Sequence, residues 1–306
     1  MANLSVKFCG VEFANPTVLA SGVVGVTAAS WRSVVQNGAG APTTKSVRLH
    51  EHKGHPNPTI ITTEHWMMNA VGLPDAGLEK AKEEINEYVK DKKAPLIVSI
   101  AGGKADDYVA IAEEMAKLPI DILEVNISCP NVEGEYGRPF ACVAPDAKNV
   151  ISMVKKVAGD KPVVAKLSPN VTDIKEIANA CAEGGADGFC AINTLGPGLA
   201  INLETRMPIL ANKVGGISGP AIKPLAVKLV HDIHTTTGLP IIGTGGITTG
   251  EDALEIMMAG ATLVGIGSAV YYRGIDVFRK VANEMNEWCD KEGVKDLSEI
   301  IGTVKM

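Results

Sequence analysis

At 306 residues the chain has the length of about two average domains, or of one α/β barrel of roughly 250 residues with insertions. Its 46% hydrophobic and 21% charged residues, with 32 Gly and 17 Pro spread along the chain, exclude a disordered or low-complexity protein and allow a full-sized core. A net charge of -6 without a Lys/Arg stripe, and only 4% aromatic residues, remove the basic footprint of a nucleic-acid or acidic-membrane binder and the stacking platform of a single-strand binder.

The start, MANLSVKFCG, lacks the basic-then-apolar order of a secretory signal. No apolar run approaches the ~20 residues that span a bilayer, so a cytoplasmic protein is expected. Over 4–13 (LSVKFCGVEF) apolar residues alternate around Gly10, which predicts a hairpin placed to plug the N-terminal end of a barrel. Eight short runs rich in Val, Ile and Ala follow, at 16–22 (PTVLASG), 41–47 (APTTKSV), 95–102 (PLIVSIAG), 122–128 (ILEVNIS), 162–168 (PVVAKLS), 188–194 (GFCAINT), 240–246 (PIIGTGG) and 263–269 (LVGIGSA). Most are apolar on both faces, as buried parallel strands are.

Amphipathic helical segments alternate with them, at 27–37, 78–90, 105–117, 145–158, 172–183, 221–235, 249–259 and 275–291. Asp146, Asp173 and Asp252 fall in or near first turns, where a carboxylate suits the helix dipole. Eight β/α alternations predict a closed (β/α)8 TIM barrel rather than a doubly wound sheet. No linker, repeat or composition break divides 1–306, so one domain is expected. Three βα connections, 48–77, 129–144 and 195–220, are long, and in this fold they emerge over the C-terminal face, where the site should lie.

Polar or glycine residues interrupt the strands at those same ends: Ser21, Lys45 with Ser46, Ser99, Asn126, Lys166, Asn193 with Thr194, Gly245 with Gly246, and Gly267 with Ser268. A lysine inside an apolar strand must bring its ammonium to a polar partner, which marks Lys45 and Lys166 as site residues. The glycine pairs after the seventh and eighth strands fit an anion cradle, with a cofactor phosphate as its natural tenant. Neither pair completes GxGxxG, because Thr248 and Val270 stand in the last place, so nicotinamide binding in the Rossmann mode is not expected.

Six cysteines (Cys9, Cys129, Cys142, Cys181, Cys190, Cys289) are irregularly spaced with no CxxC, which argues against a disulfide framework, a zinc site or an iron-sulfur cluster. Cys181 and Cys190 read as small core hydrophobes. Cys129 differs, because in NISCPN the following Pro130 ends the strand and sets a thiol between Asn126 and Asn131 at the barrel mouth. A thiol ionises near ~8.5 and is drawn toward neutral pH by lysines such as Lys45, which suits a general base or a nucleophile. A cysteine protease would need a histidine partner, yet His50, His52, His55 and His65 lie in the second loop and His231 and His234 on the sixth helix. The four in the loop lack metal-ligand spacing and read as solvated, so no metal is expected.

Together these residues resemble the class 1 dihydroorotate dehydrogenases, flavin enzymes of pyrimidine synthesis built on an FMN-binding barrel. The resemblance runs over nearly the whole chain: ANPTVLASG, Lys45-Ser46, NAVGLPDAGLE, NISCPN, AKLSPNVTDI, INT, GGISGPAIKP, IIGTGGI and GIGSA. NISCPN, KLSPN and GGISGPAIKP are its specific parts, and KLSPNVTDI with the length points to type B rather than the fumarate-linked type A. The run after Thr194 is longer than in type B relatives, Ser99 stands where they often carry Asn, and the His-rich stretch 48–66 falls outside the pattern.

The resemblance implies that FMN contacts Ser21, Lys45, Ser46, Ser99, Asn126, Lys166, Ile192, Gly219, Gly245, Gly246, Gly267 and Ser268. It implies a substrate site of Lys45, Asn69, Ala70, Val71, Gly72, Leu73, Asn126, Asn131, Asn193 and Thr194. Cys129 would be the catalytic base, taking a proton from C5 of dihydroorotate while C6 passes a hydride to FMN. The asparagines would read the amide edges of orotate, Lys45 would answer its carboxylate, and Lys166 would stabilise reduced flavin. Electrons would reach NAD through an iron-sulfur flavoprotein subunit carrying FAD and a 2Fe-2S cluster, joined to a homodimer core. The alternatives are a type A enzyme and a dihydropyrimidine dehydrogenase-like flavoenzyme acting on a neutral ring. A non-catalytic flavin barrel serving as a scaffold is disfavoured by the thiol and asparagines at the mouth.

Overall fold

The computed structural model describes residues 2–128 and 140–305. Val6–Phe8 and Val11–Phe13 pair antiparallel through a two-residue turn in which Cys9 (φ 47°) and Gly10 (φ 86°) are both left-handed, the geometry that matches strand twist. The alternation turns Phe8 and Phe13 inward, buried and edge to face with centroids 6.4 Å apart. A Cβ on Gly188 would meet Cys9 Sγ at 3.0 Å and the Phe8 ring at 3.3 Å, so the hairpin sits under the N-terminal end of the strand that Gly188 begins.

Seven parallel strands form one sheet, in the order Thr17–Leu19, Leu263–Ile266, Ile241–Thr244, Gly188–Ala191, Val163–Lys166, Ile122–Asn126 and Ile97–Ile100. The remaining expected strand, 41–47, is not a regular ladder. Pro42 has no N–H to donate, and the Lys45 amide is drawn off to the Gly25 carbonyl at 2.6 Å. It nevertheless bonds both sheet edges. The Leu19 amide donates to the Ala41 carbonyl at 3.0 Å, while the Thr44 and Val47 amides donate to the carbonyls of Ile97 (3.0 Å) and Ser99 (2.8 Å). These bonds close the TIM barrel, and its strand residues pack in one contiguous apolar core with the inner faces of the helices.

Among the described residues the helices are α1 (Ala28–Gln36), α2 (Leu78–Val89), α3 (Ala105–Ala116), α4 (Ala144–Val157), α5 (Ile174–Glu183), α6 (Lys223–Thr237), α7 (Gly250–Met258), α8 (Ala269–Arg273) and α9 (Val277–Glu292). The eighth strand ends at Ile266, short of the expected 269, because α8 begins at Ala269. No described helix is long and apolar enough to cross a membrane.

A capping box starts α7: the Thr249 hydroxyl accepts from the Asp252 amide, and the Asp252 carboxylate accepts from the amides of Thr248 and Thr249, at 2.9 Å each. Lys223 Nζ, on α6, donates to the same carboxylate at 2.8 Å. Burial by itself would raise the Asp252 carboxyl, but Lys223, the Thr248 hydroxyl and the two amides outweigh it and bring it down to about 2. A carboxylate lowered in the folded state contributes stability above its ordinary pKa of 3.8 and loses it as pH falls through about 2. Asp252→Asn is therefore expected to cost about 2 kcal/mol at neutral pH, with the difference shrinking in acid. Urea midpoints across that range check this, and equal midpoints at neutral pH would dismiss it.

Two of the long connections are not plain loops. Ile60–Thr62 and Met67–Asn69 come from 48–77, and Leu195–Leu199 and Val214–Ser218 from 195–220. They form a four-stranded antiparallel sheet with Met67 opposite Ser218. A small cluster of Met68, Ala70 and Leu210 fills the side of this sheet that faces away from the cleft. The sheet stands over the C-terminal ends of the barrel strands and walls one side of the site.

Candidate active site

The strand ends and the antiparallel sheet enclose a cleft of about 1190 Å³, open mouth included. At one end its floor is a chain of hydroxyls and amides. Ser46 Oγ lies 3.2 Å from Ser21 Oγ and 2.9 Å from Ser99 Oγ, and it accepts from Asn126 Nδ2 at 3.1 Å. Asn126 Oδ1 accepts from Ser128 Oγ at 3.0 Å, and Ser128 Oγ accepts from Asn193 Nδ2 at 2.9 Å. The Asn193 Oδ1 then holds the Thr194 amide at 2.8 Å. Such a network fixes each rotamer through its neighbour, and it joins five of the eight expected strand ends.

Ser21, Lys45, Ser46, Asn126, Lys166 and Ile192 line this cleft, and Gly219, Gly245, Gly246, Gly267 and Ser268 line it further on. Gly246 has φ 75°, and a Cβ there would come within 2.9 Å of the Lys223 backbone, so the turn approaches α6 as only glycine can. Ser99 is completely buried behind Ser46 and does not reach the wall. Of the expected substrate residues, Lys45, Asn69, Val71, Gly72, Leu73, Asn126, Asn193 and Thr194 line the cleft, whereas Ala70 is buried in the small cluster behind it. Cys129 and Asn131 lie outside the described residues.

Lys45 enters the cleft from 41–47, and behind it Asp75 accepts from the amides of Arg48 and Gly77, at 2.9 Å each. Burial raises the Asp75 carboxyl, and those two amides and the Lys45 charge oppose the rise. Lys166 stands in register with Asn126 on the neighbouring strand, 3.7 Å from the buried Glu124.

The donor set fits a flavin. Hydroxyls, a carboxamide and an ammonium face one end of the cleft, where a polar ring edge would sit, and a glycine-rich turn at the far end suits a phosphate.

Several supporting residues escaped the sequence reading. Glu124 is a charge in an apolar run, a signal as strong as Lys166 carried. Asn170 donates to the Thr194 carbonyl at 3.2 Å and accepts from the Gly196 amide at 3.0 Å; it closes the KLSPN stretch but was given no role of its own there. The His-rich stretch, expected to be solvated loop, backs the segment 69–73 expected to bind substrate. His52 and Asp75 exchange backbone bonds, and the His55 amide donates to the Val71 carbonyl at 3.0 Å. His55 Nδ1 lies 3.1 Å from the Ala70 carbonyl, so that nitrogen carries the proton. The ring covers Gly72, whose Cβ would meet it at 2.8 Å. His55→Ala removes one hydrogen bond of about 1 kcal/mol and, for the orotate that the resemblance implies, is expected to raise the Kd about fivefold with kcat nearly kept. Titration of orotate checks this, and an unchanged Kd would return His55 to the solvent.

The family described as dihydroorotate dehydrogenase matches residues 3–288. A protein of Methanocaldococcus jannaschii is 46% identical over 98% of this chain and 97% of its own length, and one of Pyrococcus abyssi is 43% identical over 98% of each. One of Thermococcus kodakarensis is 42% identical over 99% of this chain and 98% of its own. All three are named dihydroorotate dehydrogenase B (NAD(+)), catalytic subunit. With the family matched along most of its length and relatives matched end to end, the chain belongs to the dihydroorotate dehydrogenases, a flavin-dependent family of oxidoreductases.

Proposed function

We propose that this chain oxidises dihydroorotate to orotate in pyrimidine synthesis, with FMN as its resident cofactor. It works in the cytoplasm as the catalytic subunit of an NAD-linked complex: a homodimer core joined to an iron-sulfur flavoprotein subunit that carries FAD and a 2Fe-2S cluster. The observation that carries this reading is that two lysines, Lys45 and Lys166, open into one cleft together with Asn69, Asn126 and Asn193. A planar anion with amide edges calls for that combination, and a neutral pyrimidine has no use for Lys45. The NAD-linked partner follows the names of the relatives, which call them catalytic subunits, and the homodimer core, FAD and 2Fe-2S cluster follow the family resemblance.

Bound between the hydroxyl end and the glycine turns, FMN would supply the two-electron acceptor for the hydride that leaves C6. Ser21, Ser46, Asn126 and Lys166 would hold its ring, and Gly219, Gly245, Gly246, Gly267 and Ser268 its phosphate arm. Ser99 acts one step back, by holding the Ser46 hydroxyl at 2.9 Å. Lys45 would bind the substrate carboxylate, and Asn69, Asn126 and Asn193 would orient the ring. Cys129 takes the proton from C5 as its thiolate, and loss of that proton with the hydride leaves the C5–C6 double bond of orotate.

The test is anaerobic. Dihydroorotate added to the purified chain is expected to bleach its yellow cofactor, and NAD by itself is not expected to restore the colour. Bound flavin that dihydroorotate leaves yellow would overturn the substrate and favour a neutral dihydropyrimidine. Rapid restoration by NAD would overturn the need for a second subunit.

A further inference from the structure

The buried charged side chains among the described residues are Glu124, Lys166 and Asp252. Lys223, Thr248 and Thr249 all bond the Asp252 carboxylate, so capping and docking of α7 account for it. Glu124 is less completely bonded, with Lys166 and the Cys190 thiol as its side-chain partners. Its side chain is 2% exposed, its Oε1 makes no hydrogen bond, and Lys166 Nζ lies 3.7 Å from that oxygen. Two residues apart on one strand, Glu124 and Asn126 share its inner face, and Asn126 stands in register with Lys166. Asn126 and Lys166 line the cleft, whereas Glu124 sits one layer beneath it. On the next strand Cys190 remains a thiol, pushed up by burial first and by the Glu124 charge second, with Thr244 Oγ1 3.8 Å from its sulfur.

A carboxylate left partly unbonded in a barrel core is costly, and removing it would strengthen the pull of Lys166 on any anion above. Its retention there is explained by charge. A ring bound in the cleft faces a near cation and a more distant anion, so it feels only part of the Lys166 field. Hydride transfer leaves the ring more negative than before, which means Lys166 favours the reduced form and Glu124 opposes that preference.

We propose that Glu124 is a positioning residue that partly cancels the Lys166 charge under the bound flavin, lowering its potential so that electrons can move on to an acceptor as weakly oxidising as a nicotinamide. The inference rests on the cleft being the flavin site. Glu124→Gln keeps the shape of the side chain and removes its charge.

The measurement is the midpoint potential of the flavin held by the purified chain, read by dye equilibration without substrate. Glu124→Gln is expected to move the equilibrium at least tenfold toward reduced flavin, a rise of about 30 mV for a two-electron couple. Bleaching by dihydroorotate should then go further, and reoxidation through the NAD-linked partner should slow. Glu124→Asp, which keeps the charge but withdraws it by one methylene, is expected to rise by less. An unchanged or lowered potential in Glu124→Gln overturns the inference, as does an equal rise in Glu124→Asp, which would make the effect one of packing. If Glu124→Gln does not accumulate folded, Glu124→Asp carries the test, and a wild-type potential there overturns the proposal. Absence of flavin from the wild-type chain would instead refute the cofactor reading on which this one stands.

Discussion

Cys129→Ser is expected to lower the rate of flavin reduction by dihydroorotate at neutral pH by roughly 10²–10⁴-fold, the range a positioned general base supplies. Serine keeps the shape of the side chain, so flavin content and orotate affinity should stay close to wild type. What changes is the proton acceptor. A thiol ionises near ~8.5 and an alcohol several units higher, so at neutral pH almost none of the serine is in the form that can take the C5 proton. Part of the rate should therefore return as pH rises, whereas the wild-type rate should level off once its thiolate is formed. Rapid mixing of enzyme and dihydroorotate across neutral and alkaline pH separates the two profiles. A Cys129→Ser rate equal to wild type at neutral pH would remove Cys129 from the base role.

Lys45→Ala should weaken orotate binding by roughly 10–150-fold, the equivalent of one charge-assisted hydrogen bond of about 1.5–3 kcal/mol. The same variant should bind uracil nearly as the wild type does, since uracil offers the same amide edges to Asn69, Asn126 and Asn193 without a carboxylate. The ligand-induced change in flavin absorbance reads both affinities in one preparation. Equal losses for orotate and uracil would mean that Lys45 shapes the cleft, through Asp75 and the turn at Gly25, rather than pairing with the substrate anion. Because that turn is held by the Lys45 amide and not by its side chain, the substitution leaves the hydrogen bond itself intact.

The barrel was legible because its signal is local. Strands buried on both faces read as apolar runs, helices buried on one face read with a 3.6-residue period, and neither requires knowledge of the partner. The same locality made Lys45, Asn126, Lys166 and the glycine pairs visible as interruptions at strand ends, and the specific stretches NISCPN, KLSPN and GGISGPAIKP carried the family resemblance. The hairpin was equally readable, from alternation about a left-handed turn at Gly10.

What the sequence left open depends on distant pairing. The strands over the cleft are short, two of them rich in glycine, and Met67 becomes strand only by lying between Ser218 and Thr62, so no local period announces them. Segment 41–47 has the composition of a strand but closes the barrel through scattered bonds, because Pro42 and the Gly25 turn interrupt its ladder. Ser99 and Ala70 sit behind the wall and not in it, a distinction of depth that a one-dimensional pattern does not contain. The solvated reading of the His-rich stretch fails at His55 for the same reason: its partners, Ala70 and Val71, are brought to it by tertiary folding. Residue type and spacing by themselves determined the fold class and nominated the residues expected to carry the chemistry. Strand register and packing decided which of them meet, and they alone set Glu124 beneath Lys166, since the energy of a buried charge depends on the neighbour that folding supplies.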